Sequence, residues 1–334
     1  MQLNEIWFLI VGVLFIGYFI LDGFDFGVGI ALPFLAKDDL DKRVLINTIG
    51  PVWDMNETWV LVAGASLFAA FPDWYASLFS GFYLALLLIL LALIARGVSF
   101  EYRGKGESEK WRKTYDWMIF AGSALPALLW GVAFANIVQG VPLDEKHNFT
   151  GTLLTLLNPY GLLGGLVTLS LFFTYGLVFI SLKTDGEIRG RARSWATKVG
   201  IVTVVLAATF LLWTLFVHFT VLGLVLTLVA ALALVAALLF NILGREGISF
   251  SLMASTVATA VGALFTALFP NVLPSSTDPA FSLTIANASS SEYTLTVMTW
   301  VVVCALPLVL VYQGWTYWVF KQRVSRKSIP AGNH

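Results

Sequence analysis

Four carboxylates stand inside apolar stretches of this chain: Asp22 and Asp25 in GYFILDGFDFGVG, and Asp54 and Glu57 in PVWDMNETWV. Within each pair the residues are three apart, so a helix brings both to one face. A charged side chain at the centre of a lipid-facing helix costs about 2.5–3.5 kcal/mol, so four would cost on the order of 10 kcal/mol. These acids must face protein, water or a partner. The chemistry open to them is uptake and release of protons or cations. Asp116 opens a further apolar run. Acids at a helix start also satisfy free N–H groups and the helix dipole. That bland role suits Asp116, stands beside the functional one at Asp54, and does not suit Asp22 and Asp25, deep in their segment.

Other chemistries find little support. Histidine is limited to His147, His218 and His334, and the single cysteine is Cys304. No pair of histidines falls on facing helices at one depth, as several bound hemes would need, and no intrachain disulfide or cysteine-based metal site is possible. GFDFGVG has the glycine richness of a dinucleotide fingerprint but follows no strand and has the wrong spacing. Gly23 and Gly27, and likewise Gly161, Gly164 and Gly165, are expected to let helices approach closely. No protease, esterase or P-loop motif is present. Net charge is zero, so no field attracts nucleic acid.

The elements that hold these acids are membrane helices. Of 334 residues, 58% are apolar and 12% charged, half the charged share of a soluble domain. A crossing takes about 20 apolar residues. Nine segments qualify, near 6–30, 51–71, 78–96, 117–139, 159–182, 199–219, 222–243, 250–270 and 294–320. The fold class is therefore all-α, one transmembrane bundle over 1–334. The first run has no basic flank or cleavage site and reads as a retained helix rather than a signal peptide. The run from Trp195 to Asn241 is too long for one crossing, and a tight hairpin is expected near His218 and Thr220.

Charge placement gives the bundle a direction. With the amino terminus outside, the inside segments are 37–50, 96–116, 183–198, 244–249 and 321–334. They carry 3, 6, 5, 1 and 4 Lys plus Arg, leaving only Lys146 outside. Cytoplasmic loops carry such an excess, so the topology is N-out, C-in. Asp22 then lies about 25 Å along its helix, near the inner leaflet, where Asp54 and Glu57 begin the next helix. The four acids are expected to meet at the cytoplasmic end. The outer connections 140–158 and 271–293 are expected to form ordered turns or a cap.

GFDFGVG is also the first of several motifs that run in order along the whole chain. With PVWDMNETW at 51–59, LFAAFPDWYASLFSGFY at 67–83, WRKTYDW at 111–117, GVAFANIVQGVP at 131–142, LLNPYGLLGG at 156–165, the stretch at 269–300 and the closing YQGWTYW, it resembles subunit II of cytochrome bd quinol oxidases. The resemblance implies a nine-helix subunit of a bacterial inner-membrane heterodimer that oxidises quinol and reduces dioxygen to water. It implies that subunit I carries the quinol site with heme b and heme d, that this chain holds no heme, and that it stabilises subunit I. It also implies a cytoplasmic proton path through Asp25 and Asp54, with Asp22 and Glu57 beside them. A structural quinone or lipid, and small single-span subunits, accompany some relatives. The chain departs from the pattern at Met55, where relatives commonly have Gly. The alternative from another class is an ion-coupled transporter using the acids at broken helices, although Pro126 and Pro307 are the only interior prolines away from span ends.

Overall fold

The computed structural model describes residues 2–329, so His334 lies outside it. The helices are α1 (Leu3–Leu35), α2 (Asp39–Ile49), α3 (Trp53–Ala70), α4 (Pro72–Gly81), α5 (Tyr83–Tyr102), α6 (Glu109–Gln139), α7 (Leu153–Leu156), α8 (Pro159–Lys183), α9 (Gly186–Val217), α10 (Val221–Ile242), α11 (Glu246–Leu268) and α12 (Glu292–Val319). Eight of them, α1, α5, α6 and α8 to α12, are long and apolar enough to cross a membrane among the described residues. The segment expected at 51–71 is the exception. Its helix α3 has 18 residues, about 27 Å at 1.5 Å per residue, and the acids lower its apolarity. It still runs from the basic end of the bundle to the opposite cap, where Ser290 bonds the carbonyls of Ala69 and Ala70.

Several boundaries differ from the sequence reading, the largest at the span expected from 199, whose helix α9 begins at Gly186. The span expected from 78 begins at Tyr83, because Pro72 starts a separate ten-residue helix, α4, that ends at Gly81. The span expected from 117 begins at Glu109, capped by Ser108, so Asp116 is two turns inside α6 rather than at its start. The hairpin between α9 and α10 falls at His218–Thr220 as expected, with Thr220 Oγ1 accepting from Gly223 N–H.

Helix α1 lies at the centre and touches α3, α6, α8 and α11. Its approach to α8 depends on glycine. A Cβ on Gly27 would lie 1.9 Å from the Phe172 carbonyl oxygen, and one on Gly176 would lie 2.2 Å from the Gly27 carbonyl carbon. Backbones this close leave room for hydrogen alone. Aromatic rings fill the adjoining core edge to face, with Phe15 and Phe134 centroids 5.1 Å apart and Phe19 and Phe134 5.2 Å apart.

Both ends are finished by polar structure. The connections 140–158 and 271–293 join through Val141 N–H to Pro274 O, Ser276 N–H to Val141 O, and the His147 ring against Phe281 O. A short antiparallel pair, β1 (Asn271–Leu273) and β2 (Leu283–Thr284), completes that cap. At the other end, ion pairs tie all five basic segments together: Lys42 to Asp116, Lys37 to Glu187, Arg191 to Asp41, Arg189 to Glu246, and Arg326 to Asp38 and Asp41. The alternation inferred from charge thus has a physical counterpart at one end of the bundle.

Candidate functional site

Asp22 and Asp25 point from α1 into protein and are fully buried. The 3.6-residue period sets them on one face, as their spacing requires. They do not share a partner. Arg96, from α5, donates through Nη2 to Asp22 Oδ1 at 2.8 Å. Asn56, from α3, donates through Nδ2 to Asp25 Oδ2 at 2.7 Å and to the Leu21 carbonyl at 3.2 Å.

Behind Asn56 the polar chain continues into α12. Its Oδ1 accepts from Gln313 Nε2 and from the Tyr317 hydroxyl, each at 2.9 Å. The Asn56 side chain therefore joins α1, α3 and α12. Such a network specifies a single arrangement because each lost member leaves a buried group unpaired.

Arg96 lies in LLALIARGV, where falling hydropathy invites a helix end. The reading that assigned it to the basic segment 96–116 is corrected here: α5 continues to Tyr102, and Arg96 is wholly buried. Its guanidinium lies 4.5 Å from the Phe26 ring centroid, a contact that favours the charge in a dry setting. The signal was present in the sequence, since an arginine at membrane depth is as informative as an acid.

Glu57 joins this group from the edge. Its Oε2 stands 4.0 Å from Arg96 Nη1, with its side chain 23% exposed. Asp54 does not join. It is exposed, and its Oδ1 accepts the Met55 N–H at 2.7 Å. Asp54 and Glu57 do line one wall of an open cleft of about 520 Å³, together with Trp53, Thr58, Tyr83 and Leu90. The expected single cluster is thus a buried set, Asp22, Asp25 and Arg96, with Glu57 at its edge and Asp54 at the open cleft. Asp116 belongs elsewhere, paired with Lys42 at 2.8 Å and Arg103 at 2.5 Å.

A second feature lies away from the acids. A cavity of about 260 Å³ runs between α1, α6, α8, α9, α10 and α11, lined by residues such as Phe19, Phe134, Leu171, Ala230 and Leu234. Its lining includes no His, Met or Cys, so it offers a heme no axial ligand. His218 caps the end of α9 with a buried, unpartnered Nε2 and does not line that cavity.

The family model described as cytochrome bd terminal oxidase subunit II matches residues 3–320. The chain is 42% identical to the cytochrome bd ubiquinol oxidase subunit 2 of Bacillus subtilis (strain 168), covering 98% of each. It is 38% identical to the cytochrome bd-I ubiquinol oxidase subunit 2 of Escherichia coli (strain K12), covering 99% of this chain and 98% of that one. Among solved structures, a chain of the bd oxidase from Geobacillus thermodenitrificans has the same fold, with a TM-score of 0.80 at 17% identity over 96% of this chain and 99% of that one.

Proposed function

The chain belongs to the cytochrome bd terminal oxidase subunit II family and is a multi-pass subunit of a bacterial membrane quinol oxidase of aerobic respiration, and from that premise we propose that its buried acids form part of the route by which protons reach the site of dioxygen reduction. The observation that carries the proposal is the placement of the acids. Asp54 and Glu57 open on a cleft, while Asp22 and Asp25 lie buried behind them. A structural framework alone has no need of carboxyls at graded depth in apolar surroundings.

The partner is a subunit I that carries heme b and heme d and oxidises quinol, with this chain stabilising it in a heterodimer. The lining of the apolar cavity offers a heme no axial ligand, which supports a part for this chain in positioning acids and in packing. The basic end faces the cytoplasm, in keeping with the Lys and Arg excess, and protons enter there. The apolar cavity accommodates a structural quinone tail or a lipid chain; small single-span subunits are further candidates for the lipid-facing surface. Nothing supports the transporter alternative.

Purification of the complex through this chain tests the reading. An absorption spectrum with b- and d-type hemes is expected, and Asp54→Asn is expected to lower quinol oxidase turnover while heme content stays near normal. Unchanged turnover at full heme content would exclude the proton role. Loss of heme content before turnover per heme would make the acids structural.

A further inference from the structure

Arg96 uses Nη2 on Asp22, but its Nε and Nη1 have no hydrogen-bond partner although the side chain is fully buried. Asp22 Oδ2, Asp25 Oδ1 and Glu57 Oε2 are buried and unpartnered as well. Donors and acceptors thus lie bare in one place, where bridging water would satisfy them. One guanidinium neutralises one carboxylate, and a second uncompensated buried charge costs several kcal/mol. Asp22 is fully buried and held at 2.8 Å, whereas Glu57 is partly exposed to the cleft and stands off at 4.0 Å. These two acids are therefore not equivalent.

We propose that Glu57 is the carboxyl that exchanges protons between the cleft and the buried acids, and that Arg96, fixed by Asp22, is the residue that positions it. This refines the proton-route reading above and rests on it. A hydronium in the cleft protonates the Glu57 carboxylate and leaves as water. The neutral carboxyl then gives its proton inward through water to the Asp25 carboxylate, at the unpartnered Oδ1, because Oδ2 is committed to Asn56. Glu57 returns to a carboxylate beside the Arg96 guanidinium, and Asp25 releases the proton onward along the route, so proton and charge balance over the cycle. Asp22 stays a counter-ion throughout. The titratable groups facing this exchange are Tyr18, Asp22 and Asp25 from α1, Asp54 from α3, Arg96 from α5, Tyr175 from α8 and Tyr317 from α12.

The experiment measures turnover per heme, its pH profile and heme content for the purified complex carrying E57Q, R96K, D22N or D54N. E57Q is expected to lower turnover per heme roughly tenfold at normal heme content. R96K keeps a positive charge for Asp22 but withdraws the fork from Glu57, which then holds its proton more tightly. The alkaline limb of the profile is expected to move up by roughly one pH unit. D22N strands a buried guanidinium and is expected to lower heme content. Wild-type turnover and profile in E57Q, with D54N impaired, would overturn this inference alone; D54N unimpaired as well would overturn the route. An unmoved profile in R96K removes Arg96 from the assignment, and if R96K fails to assemble, E57Q decides. D22N with full heme content and the turnover loss of E57Q would make Asp22 a carrier and overturn the assignment.

Discussion

Asn56 donates to Asp25 across 2.7 Å while its own oxygen accepts from both Gln313 and Tyr317 at 2.9 Å. Its amide is therefore oriented by partners on two helices, with the nitrogen turned to the acid. Asn56→Leu leaves a carboxyl, an amide and a hydroxyl unpaired in a buried setting. A loss of about 3 kcal/mol is expected, read as a lowered thermal-shift midpoint of the purified complex. An unchanged midpoint would mean that the network contributes nothing to stability.

The crossing of α1 and α8 gives a second prediction. Gly27→Ala places a methyl carbon against the Phe172 carbonyl oxygen and Gly176 backbone, which cannot move aside as a side-chain tip can. Overpacking of this kind costs about 3 kcal/mol. Less assembled oxidase per unit membrane is expected, measured by heme content. Gly64, with open space around it, should accept alanine with normal heme content.

Filling the apolar cavity gives a third. Ala230 lines it and is 1% exposed, so Ala230→Phe occupies space that an isoprenoid or acyl chain would use. Solvent extraction and mass spectrometry of the wild-type complex should recover a quinone or lipid that the variant has lost. Equal recovery from both would place that molecule elsewhere.

The basic end gives a fourth. Arg326 clasps Asp38 and Asp41, and the Asp41 N–H with Arg326 holds the Asp38 carboxyl below its ordinary value of 3.8. A depressed carboxyl stabilises the folded state above its unfolded pKa and ceases to do so as pH falls through the folded one. The 321–329 segment should therefore stay docked from neutral pH down to about 4.5 and loosen below 3.8. A spin label at Ser328→Cys, in a Cys304→Ser background, reports this as mobility. Loosening already near pH 6 would show that other groups hold the segment.

Much of the bundle is legible from apolar runs and basic segments, since both are local properties. The acid pairs are legible for the same reason: a spacing of three needs only a helix to have meaning. What escapes is tertiary. Gln313 and Tyr317 lie more than 250 residues from Asn56, and neutral polar residues near a span end carry little signal alone. Arg96 was hidden by its position, where a drop in hydropathy resembles an exit from the membrane. Asp54 and Asp22 look alike in sequence, but only the packing of α5 against α6 and of α3 against α1 leaves one at an open cleft and the other beside a guanidinium.

Helix α12 is held by two polar moorings, and between them Met298, Val302 and Leu306 pack part-buried against the core. Trp7 Nε1 bonds Leu295 O and Thr299 Oγ1 near one end, and Gln313 with Tyr317 hold Asn56 near the other. From Thr296 to Tyr312 no side chain is buried. Within this chain, that stretch is fixed chiefly by its two ends, and most of its side chains face outward. Its outward residues are free to be fitted to whatever lies alongside, without disturbing the acids that one of those moorings secures.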